Sequence, residues 1–527
     1  RFAGPGWLMS LAYLDPGNLE SDLQQGAYTN FTLVWVLWWA TVMGLILQEM
    51  SARLGLVTGN DLAQAVRAGY PRWLNYVIYV NMEIAVIGSD IQEVVGTGIA
   101  INLLTQKAVP VWAGCIITGL DTFTFLAVQY LGVRYLEAFV ASLISIMTIC
   151  FFINWGISSV GIDPSMLFEG WILPSVQEWG VTQAVGTIGA VIMPHNLYLH
   201  SGLVLSRKVA RDKPRRVHDA IWYTRIESAV ALFVAFFVNL AVVAVNADNF
   251  YAKECAVLAE GPFACMAEKA YEQSGQTDAG QPCTLPHGRG SGKCGDFGLS
   301  SEGYALQHSL GEYTLYLWAL GLFAAGQAAT MVCTYAGQII MGGCLQIQLS
   351  PWVRVAITRV FALGPALVVA ATTVSNQKLF NNINEYLNIL QSIQLPFAML
   401  PVFHFCSQSH LLGRFRSGAL LTLVSTLLAM TVICVSVVLV LQFVEDFTTG
   451  GKVVAYLYGM VYFLVCARMV WDEIKIVGQA GCSLLPSVDE VDAFLNCSRC
   501  LGREATPKTN LIEAVDECAL VVHSETG

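Results

Sequence analysis

Apolar runs separated by short polar breaks fill most of the chain, at about 3–26, 31–51, 73–104, 110–130, 135–156, 179–205, 219–246, 313–345, 353–375, 385–407, 418–444 and 452–471. Roughly 20 apolar residues suffice to cross the hydrocarbon core of a bilayer as a helix, so the pattern predicts about twelve transmembrane helices. Only segments that close every backbone hydrogen bond internally can lie in lipid, which makes the expected fold class an all-α polytopic membrane protein. The chain then divides into 1–246, helices one to seven; 247–312, a polar loop; 313–471, helices eight to twelve; and 472–527, an acidic tail.

Two of these runs carry polar, helix-breaking motifs at mid-depth: Tyr13-Leu14-Asp15-Pro16-Gly17-Asn18 in the first and Ala190-Val191-Ile192-Met193-Pro194-His195-Asn196 in the sixth. Proline has no amide donor and clashes with the preceding turn, so each motif unwinds its helix. A single such proline reads as an ordinary kink. Here the breaks occupy equivalent places in two five-helix halves. That is the pattern of a 5+5 inverted repeat whose discontinuous helices 1 and 6 form a midplane substrate site. The polar groups define its chemistry. Asp15 brings a hard carboxylate, Asn18 an amide oxygen and Met193 a polarizable thioether, and the unwound turns add the carbonyls of Ala12 and Ala190. Methionine is ordinarily core filler, but beside a midplane break it reads as a ligand. Oxygens with one soft sulfur suit Mn²⁺, Fe²⁺, Co²⁺ or Cd²⁺ better than Mg²⁺ or Ca²⁺, which take oxygen alone.

Composition agrees with a membrane class: 55% of residues are hydrophobic and 13% charged, against about 25% charged in soluble domains. The net charge of −10 is concentrated in the loop and tail, and no basic domain or aromatic–basic interleaving supports nucleic-acid binding. Basic links hold Arg53, Arg67 and Arg72; Arg134; Arg207 to Arg216; and Arg414 and Arg416. All fall on one side if twelve spans alternate. The positive-inside rule makes that side, and both termini, cytosolic. The 247–312 loop then faces outside or a lumen, where Cys255, Cys265, Cys283 and Cys294 form two disulfides in one of three pairings.

Several further motifs read as incidental. The Gly-Arg-Gly-Ser-Gly-Lys stretch of that loop lacks the preceding strand of a phosphate loop. The lone Cys497–Cys500 pair has no second pair to complete a zinc site. The sequons at Asn30 and Asn496 lie too near the membrane and in the cytosol, respectively. The chain opens on an apolar segment without the charged region and cleavage site of a secretory signal, so a polar N-terminal tail is expected ahead of Arg1.

For protons, Asp90 and Glu93 lie three apart on one face of span three. Intramembrane carboxylates are functional candidates, and Arg359 on span nine is a plausible partner for them. His195 follows the second break directly and His200 lies about one turn on. Either suits acid gating, although His200 reads equally well as a polar interior residue. Glu49, Glu83 and Glu137 read as helix-end or packing groups.

The motifs Asp15-Pro16-Gly17-Asn18 with Leu19-Glu20-Ser21-Asp22-Leu23-Gln24, and Gly189 to Asn196 with Leu197-Tyr198-Leu199-His200-Ser201, resemble the signatures of the Nramp family. The similarity continues through Gly326-Gln327-Ala328-Ala329-Thr330, Thr334-Tyr335-Ala336-Gly337-Gln338 and Leu387 to Phe397, and is closer to the eukaryotic branch than to the bacterial one. The resemblance implies a LeuT-type fold and proton-coupled import of divalent transition metals. The metal site would comprise Asp15, Asn18, Met193 and the Ala190 carbonyl, with Ala12 as a second carbonyl and Asn388 closing over the ion. Gln391 and Gln394 lie one and two turns further. Asp90, Glu93 and Arg359 would form the proton route to the cytosol.

One departure falls in span eight, where Met341-Gly342-Gly343-Cys344 replaces the family's methionine–glutamate–glycine–phenylalanine. It leaves a transport-dead sensor or signalling scaffold as the alternative reading. A sodium-coupled amino-acid symporter on the same fold is disfavoured, because Asp15 would repel a carboxylate substrate. The expected partners are the metal substrate, protons and the lipid bilayer, with no resident cofactor, no enzymatic activity and no nucleic acid. The membrane would be the plasma membrane or an endosomal or vacuolar one.

Overall fold

The computed structural model describes residues 5–10, 13–131, 133–158, 163–258, 261–276, 280–346, 351–373, 377–445 and 449–484. Its helices run in the order α1 Pro5–Ser10, α2 Pro16–Thr29, α3 Val34–Thr58, α4 Leu62–Gly69, α5 Arg72–Leu104, α6 Val111–Leu131, α7 Val133–Ser158, α8 Pro164–Ile172, α9 Val181–Val191, α10 Pro194–Leu203 and α11 Pro214–Phe250. The loop region follows with α12 Lys253–Ala256, β1 Ala264–Ala267, α13 Glu268–Gln273, β2 Pro282–Thr284, β3 Ser291–Gly295 and α14 Leu299–Leu310. The second helical region holds α15 Glu312–Leu345, α16 Pro351–Thr373, α17 Gln377–Gln394, α18 Pro396–Ser407, α19 Ser409–Leu412, α20 Ala419–Glu445 and α21 Thr449–Leu484.

Among the described residues nine helices are long and apolar enough to cross a membrane, fewer than the twelve apolar runs. The first run is divided by its break into α1 and α2. The fourth and ninth runs form α6 and α16, whose side chains are described only in part. Hydropathy also misplaces some ends. The tenth run begins earlier, at Gln377, and its two helices, α17 and α18, meet at Leu395, whose own backbone is helical. Pro396 has no amide to give the Ser392 carbonyl, which takes the Leu395 N–H and the Ser436 hydroxyl, each at 3.3 Å. Pro401 likewise has none to give Phe397, whose carbonyl receives the Tyr198 hydroxyl at 3.2 Å. Side chains from neighbouring helices thus satisfy the carbonyls that the prolines release, as lipid burial demands.

The long loop is more than a loop. β1, β3 and β2 form a three-stranded antiparallel sheet in that order, with Cys265 opposite Cys294 and Cys283 opposite Gly292. The Gly-Arg-Gly-Ser-Gly-Lys stretch leads into β3. Disulfides join Cys255 to Cys294 and Cys265 to Cys283, and all four cysteines pack with Leu285 in one buried cluster. Closing segments of 39 and 18 residues removes unfolded-chain entropy on the order of 3–4 kcal/mol each.

The two ends of the helical region differ. Arg53 near the end of α3 donates to the Phe415 carbonyl and the Ser417 hydroxyl, and Arg211 donates to the Leu56 carbonyl, so three of the basic links meet there. At the far end of α2, Gln24 and Tyr28 donate to the Phe297 carbonyl, which ties the disulfide loop to the opposite end. Residues 485–527, with Cys497, Cys500 and Asn496, lie outside the described residues.

Candidate metal and proton site

The two breaks are built on the same device. Pro16 and Pro194 each occupy the first turn of a half-helix, where a missing N–H costs nothing locally. Neither proline has an N–H to offer the carbonyl four residues earlier in the sequence. Those carbonyls belong to Ala12 and Ala190. Ala190 is fully buried in the last turn of α9; Ala12 lies outside the described residues.

Asp15 is the N-cap of α2. Its Oδ1 accepts the Asn18 N–H at 2.8 Å, and the residue is 2% exposed. A carboxylate at a helix N-terminus is favoured by the free amides and the dipole there. The fully buried Asn18 side chain lies close to that carboxylate, yet neither its Oδ1 nor its Nδ2 makes a hydrogen bond of normal geometry among the described residues. A buried amide left so is costly unless a ligand completes it. The Tyr13 carbonyl, released by the break, is taken by Asn239 Nδ2 of α11 at 2.8 Å.

Met193 is the N-cap of α10 and has no side-chain capping bond. Its sulfur lies 3.7 Å from the Ser89 hydroxyl of α5, and that hydroxyl also lies 2.8 Å from Glu93 Oε1. Asp90, Glu93 and Cys333 bring their carboxylate and thiol atoms within 4.8 Å of one another, all buried. Met193 is thereby linked through Ser89 to the acidic pair on α5. Arg359 lies on α16, which packs against α5; its side chain is outside the described residues.

Asn388 of α17 donates to the Gly17 carbonyl at 3.1 Å and accepts from Gln92 Nε2 at 2.9 Å, so it bridges the first turn of α2 to α5. Gln391 instead donates to the Ala85 carbonyl at 2.8 Å. Gly189 lets α17 reach α9: a Cβ there would meet the Asn388 carbonyl at 2.1 Å. His195 is buried in the first turn of α10, its Nδ1 without a partner among the described residues. His200 Nδ1 pairs with Gln48 Oε1 of α3 at 2.7 Å, which ties this histidine to helix packing. Glu49 sits between Arg225 at 2.6 Å and Arg53 at 3.5 Å, a helix-end network.

Span eight, where the family pattern changes, is a packing point. A Cβ on Gly343 would meet Ala63 at 2.4 Å and Asp61 at 2.9 Å, and Asn75 donates to the Cys344 carbonyl at 3.1 Å.

Sequence reasoning missed Ser89, Gln92 and Asn239 as parts of the site. Asn239 had a signal: Asn239, Asn246 and Asn249 interrupt an apolar run at spacings of seven and three, hence on one helix face.

Two helices broken at Pro16 and Pro194, with α2 packed on α9 and α1 on α10, are the arrangement of a transporter of the LeuT-type fold. The comparisons agree. The structure resembles a manganese transporter from Eremococcus coleocola with a TM-score of 0.72 at 24% identity, over 90% of this chain and 94% of that one. It resembles Mhp1, a nucleobase–cation symporter, with a TM-score of 0.50 at 12% identity, over 89% and 94%. The family model for natural resistance-associated macrophage protein-like proteins matches residues 6–273 and 287–442.

This chain belongs to the Nramp family. It is 41% identical to metal transporter Nramp3.2 of Populus trichocarpa over 85% of this chain and 82% of that protein. It is 42% identical to metal transporter nramp1 homolog of Dictyostelium discoideum over 84% and 75%. It is a multi-pass membrane transporter of metal ions and not an enzyme.

Proposed function

We propose that this protein imports divalent transition metals such as Mn²⁺ and Fe²⁺, with Cd²⁺ and Co²⁺ as further substrates, into the cytosol together with protons. The observation that supports this reading is the buried Asp15 and Asn18 of the first break, the Asn18 side-chain amide having no hydrogen bond of normal geometry among the described residues, together with the buried Met193 at the cap of the second. A partly dehydrated metal ion takes Asp15, Asn18, the Ala190 carbonyl and the Met193 sulfur, with Ala12 supplying a second carbonyl. The name of the Eremococcus relative supports manganese. Asn388 holds the first turn of α2 and so closes over the ion.

Protons leave through Asp90, Glu93 and Arg359, reached from the metal through Met193 and Ser89, with His195 beside the entry and His200 a turn beyond. The basic links gathered at one end put that end in the cytosol, so an acidic outside or lumen drives accumulation. Plasma, endosomal and vacuolar membranes all provide that gradient.

Mn²⁺ uptake into proteoliposomes tests the reading. Acid outside is expected to accelerate wild type, Asp15→Ala to abolish uptake, and Met193→Ala to admit Ca²⁺ or Mg²⁺. Uptake that ignores both outside pH and Asp15→Ala would sink it. A folded protein that binds Mn²⁺ but never carries it would favour the sensor alternative.

A further inference from the structure

The disulfide loop lays α14 against α2 and α11 at the end of the molecule opposite the basic links. Glu20 of α2 accepts the Leu299 N–H in the first turn of α14 at 2.9 Å with one oxygen, and Gln24 Nε2 at 3.0 Å with the other. Gln24 and Tyr28 hold the Phe297 carbonyl, and the Phe297 N–H returns to the Tyr28 hydroxyl at 2.9 Å. The outer half of the broken first helix is thereby latched to the loop helix.

Behind this latch lies a second polar site, apart from the metal and proton groups above. Glu302 of α14 is 1% exposed, and its Oε1 accepts Asn246 Nδ2 of α11 at 3.1 Å. Its Oε2 has no partner among the described residues, and neither do Nδ2 and Oδ1 of Asn154 on α7, itself 3% exposed. Both residues line one cavity of about 10 Å³, walled by Phe151, Val242, Leu306 and Trp318 among others. That volume is about one water molecule's, and a water needs two to four polar partners. Asn154 offers an orphan donor and an orphan acceptor, so one water satisfies it whether Glu302 is an acceptor or, once protonated, a donor.

We propose that Glu302, Asn154 and one water form a proton-binding site outside the transport route, and that its protonation tightens the latch between α14 and α2.

Among the described residues, no basic side chain lines the cavity. The charged group acting on Glu302 is Glu20, and Asn246 is its polar neighbour on α11. At the far end of α14, His308 faces Gln273 and feels Lys269, and Lys107 lies over the Tyr304 ring; none of these lines the cavity. Burial first, then Glu20, pushes the Glu302 carboxyl up from 4.5 to about 8, against the Asn246 hydrogen bond. The docked helix therefore binds more protons than an undocked one between those limits. The contribution of Glu302 to docking is complete below about 4.5 and is lost as pH rises through about 8. Ionised Glu302 repels Glu20, which caps the helix.

Hydrogen exchange of the segment 297–310 in the full chain, held in nanodiscs and corrected for intrinsic rates, tests the proposal without requiring transport. Wild-type protection is expected to fall about tenfold or more between roughly pH 6 and pH 9. Glu302→Gln keeps the shape and the Asn246 contact, and should hold protection at the acid level throughout. Asn154→Leu excludes the water and should move the wild-type midpoint upward. Flat wild-type protection, or an unchanged slope in Glu302→Gln, overturns the proton site. An unmoved midpoint in Asn154→Leu overturns the water.

Discussion

The breaks in the first and sixth spans use the same proline device but finish their half-helices differently. At the first, a carboxylate caps α2 and a neighbouring asparagine takes the Tyr13 carbonyl. At the second, a thioether stands at the cap position of α10 with no capping bond, and its sulfur is held from α5 instead. One break is thus a structural terminus that also carries charge. The other gives up a cap, typically worth about 1 kcal/mol, to place a soft atom. Under the proposed function, the difference would assign affinity to the first break, where charge attracts any divalent cation, and discrimination to the second, where sulfur favours the softer ones.

Asp15→Asn offers the sharpest way to break this division, because asparagine caps a helix as well as aspartate does. The fold of α2 should survive while the charge is lost. Mn²⁺ affinity measured by calorimetry is expected to fall about 100-fold or more, the scale of leaving a buried charge without its partner. Met193→Leu conserves volume and should cost Mn²⁺ about tenfold or less while narrowing the preference for Mn²⁺ over Ca²⁺. Equal losses at the two positions would erase the assigned roles.

Pro194→Ala is the next test. It returns an amide to the Ala190 carbonyl and lets α9 run into α10. Uptake should fall by roughly tenfold as the break closes, because the roughly 3 kcal/mol by which proline opposes a continuous helix is removed. A fully active protein would mean that the break is held by something other than Pro194.

The breaks themselves are legible in the sequence because an apolar run rarely tolerates proline beside aspartate or histidine unless the exposed backbone and charge serve a site. The spans are legible from hydropathy, although α17 begins eight residues ahead of the apolar run, because its first turns, Gln377 to Glu385, are polar. The loop's sheet is not. Ala264–Ala267, Pro282–Thr284 and Ser291–Gly295 are short, rich in glycine and cysteine, and show no alternation to read. Nor can spacing choose among the three disulfide pairings, and strand register alone would put Cys265 opposite Cys294; the packing of the loop instead joins Cys255 to Cys294 and Cys265 to Cys283. Glu302 and Asn154 are hidden for a different reason. Each is an ordinary polar residue in its own segment, and only the docking of α14 brings them to one cavity. Ser89 stands inside the polar stretch Gly88 to Glu93, but its link to a sulfur 104 residues away is a tertiary fact.

That hydroxyl supports the finest test of the comparison. Ser89 contacts both the Met193 sulfur and Glu93, and under the proposed function would join metal selection to proton release. Ser89→Ala removes the hydroxyl whose single proton can serve either Glu93 or Met193, without disturbing Asp15, Asn18 or the half-helix termini. Mn²⁺ uptake at neutral pH should fall only about two- to tenfold, in keeping with roughly 0.5–1.5 kcal/mol for one lost hydrogen bond. The acceleration by an acidic outside should shrink by more than that basal loss, because Met193 and Glu93 are no longer held in common. If the ratio of acidic to neutral uptake stays at the wild-type value, the proton route does not pass through this hydroxyl. The second break would then govern selectivity alone.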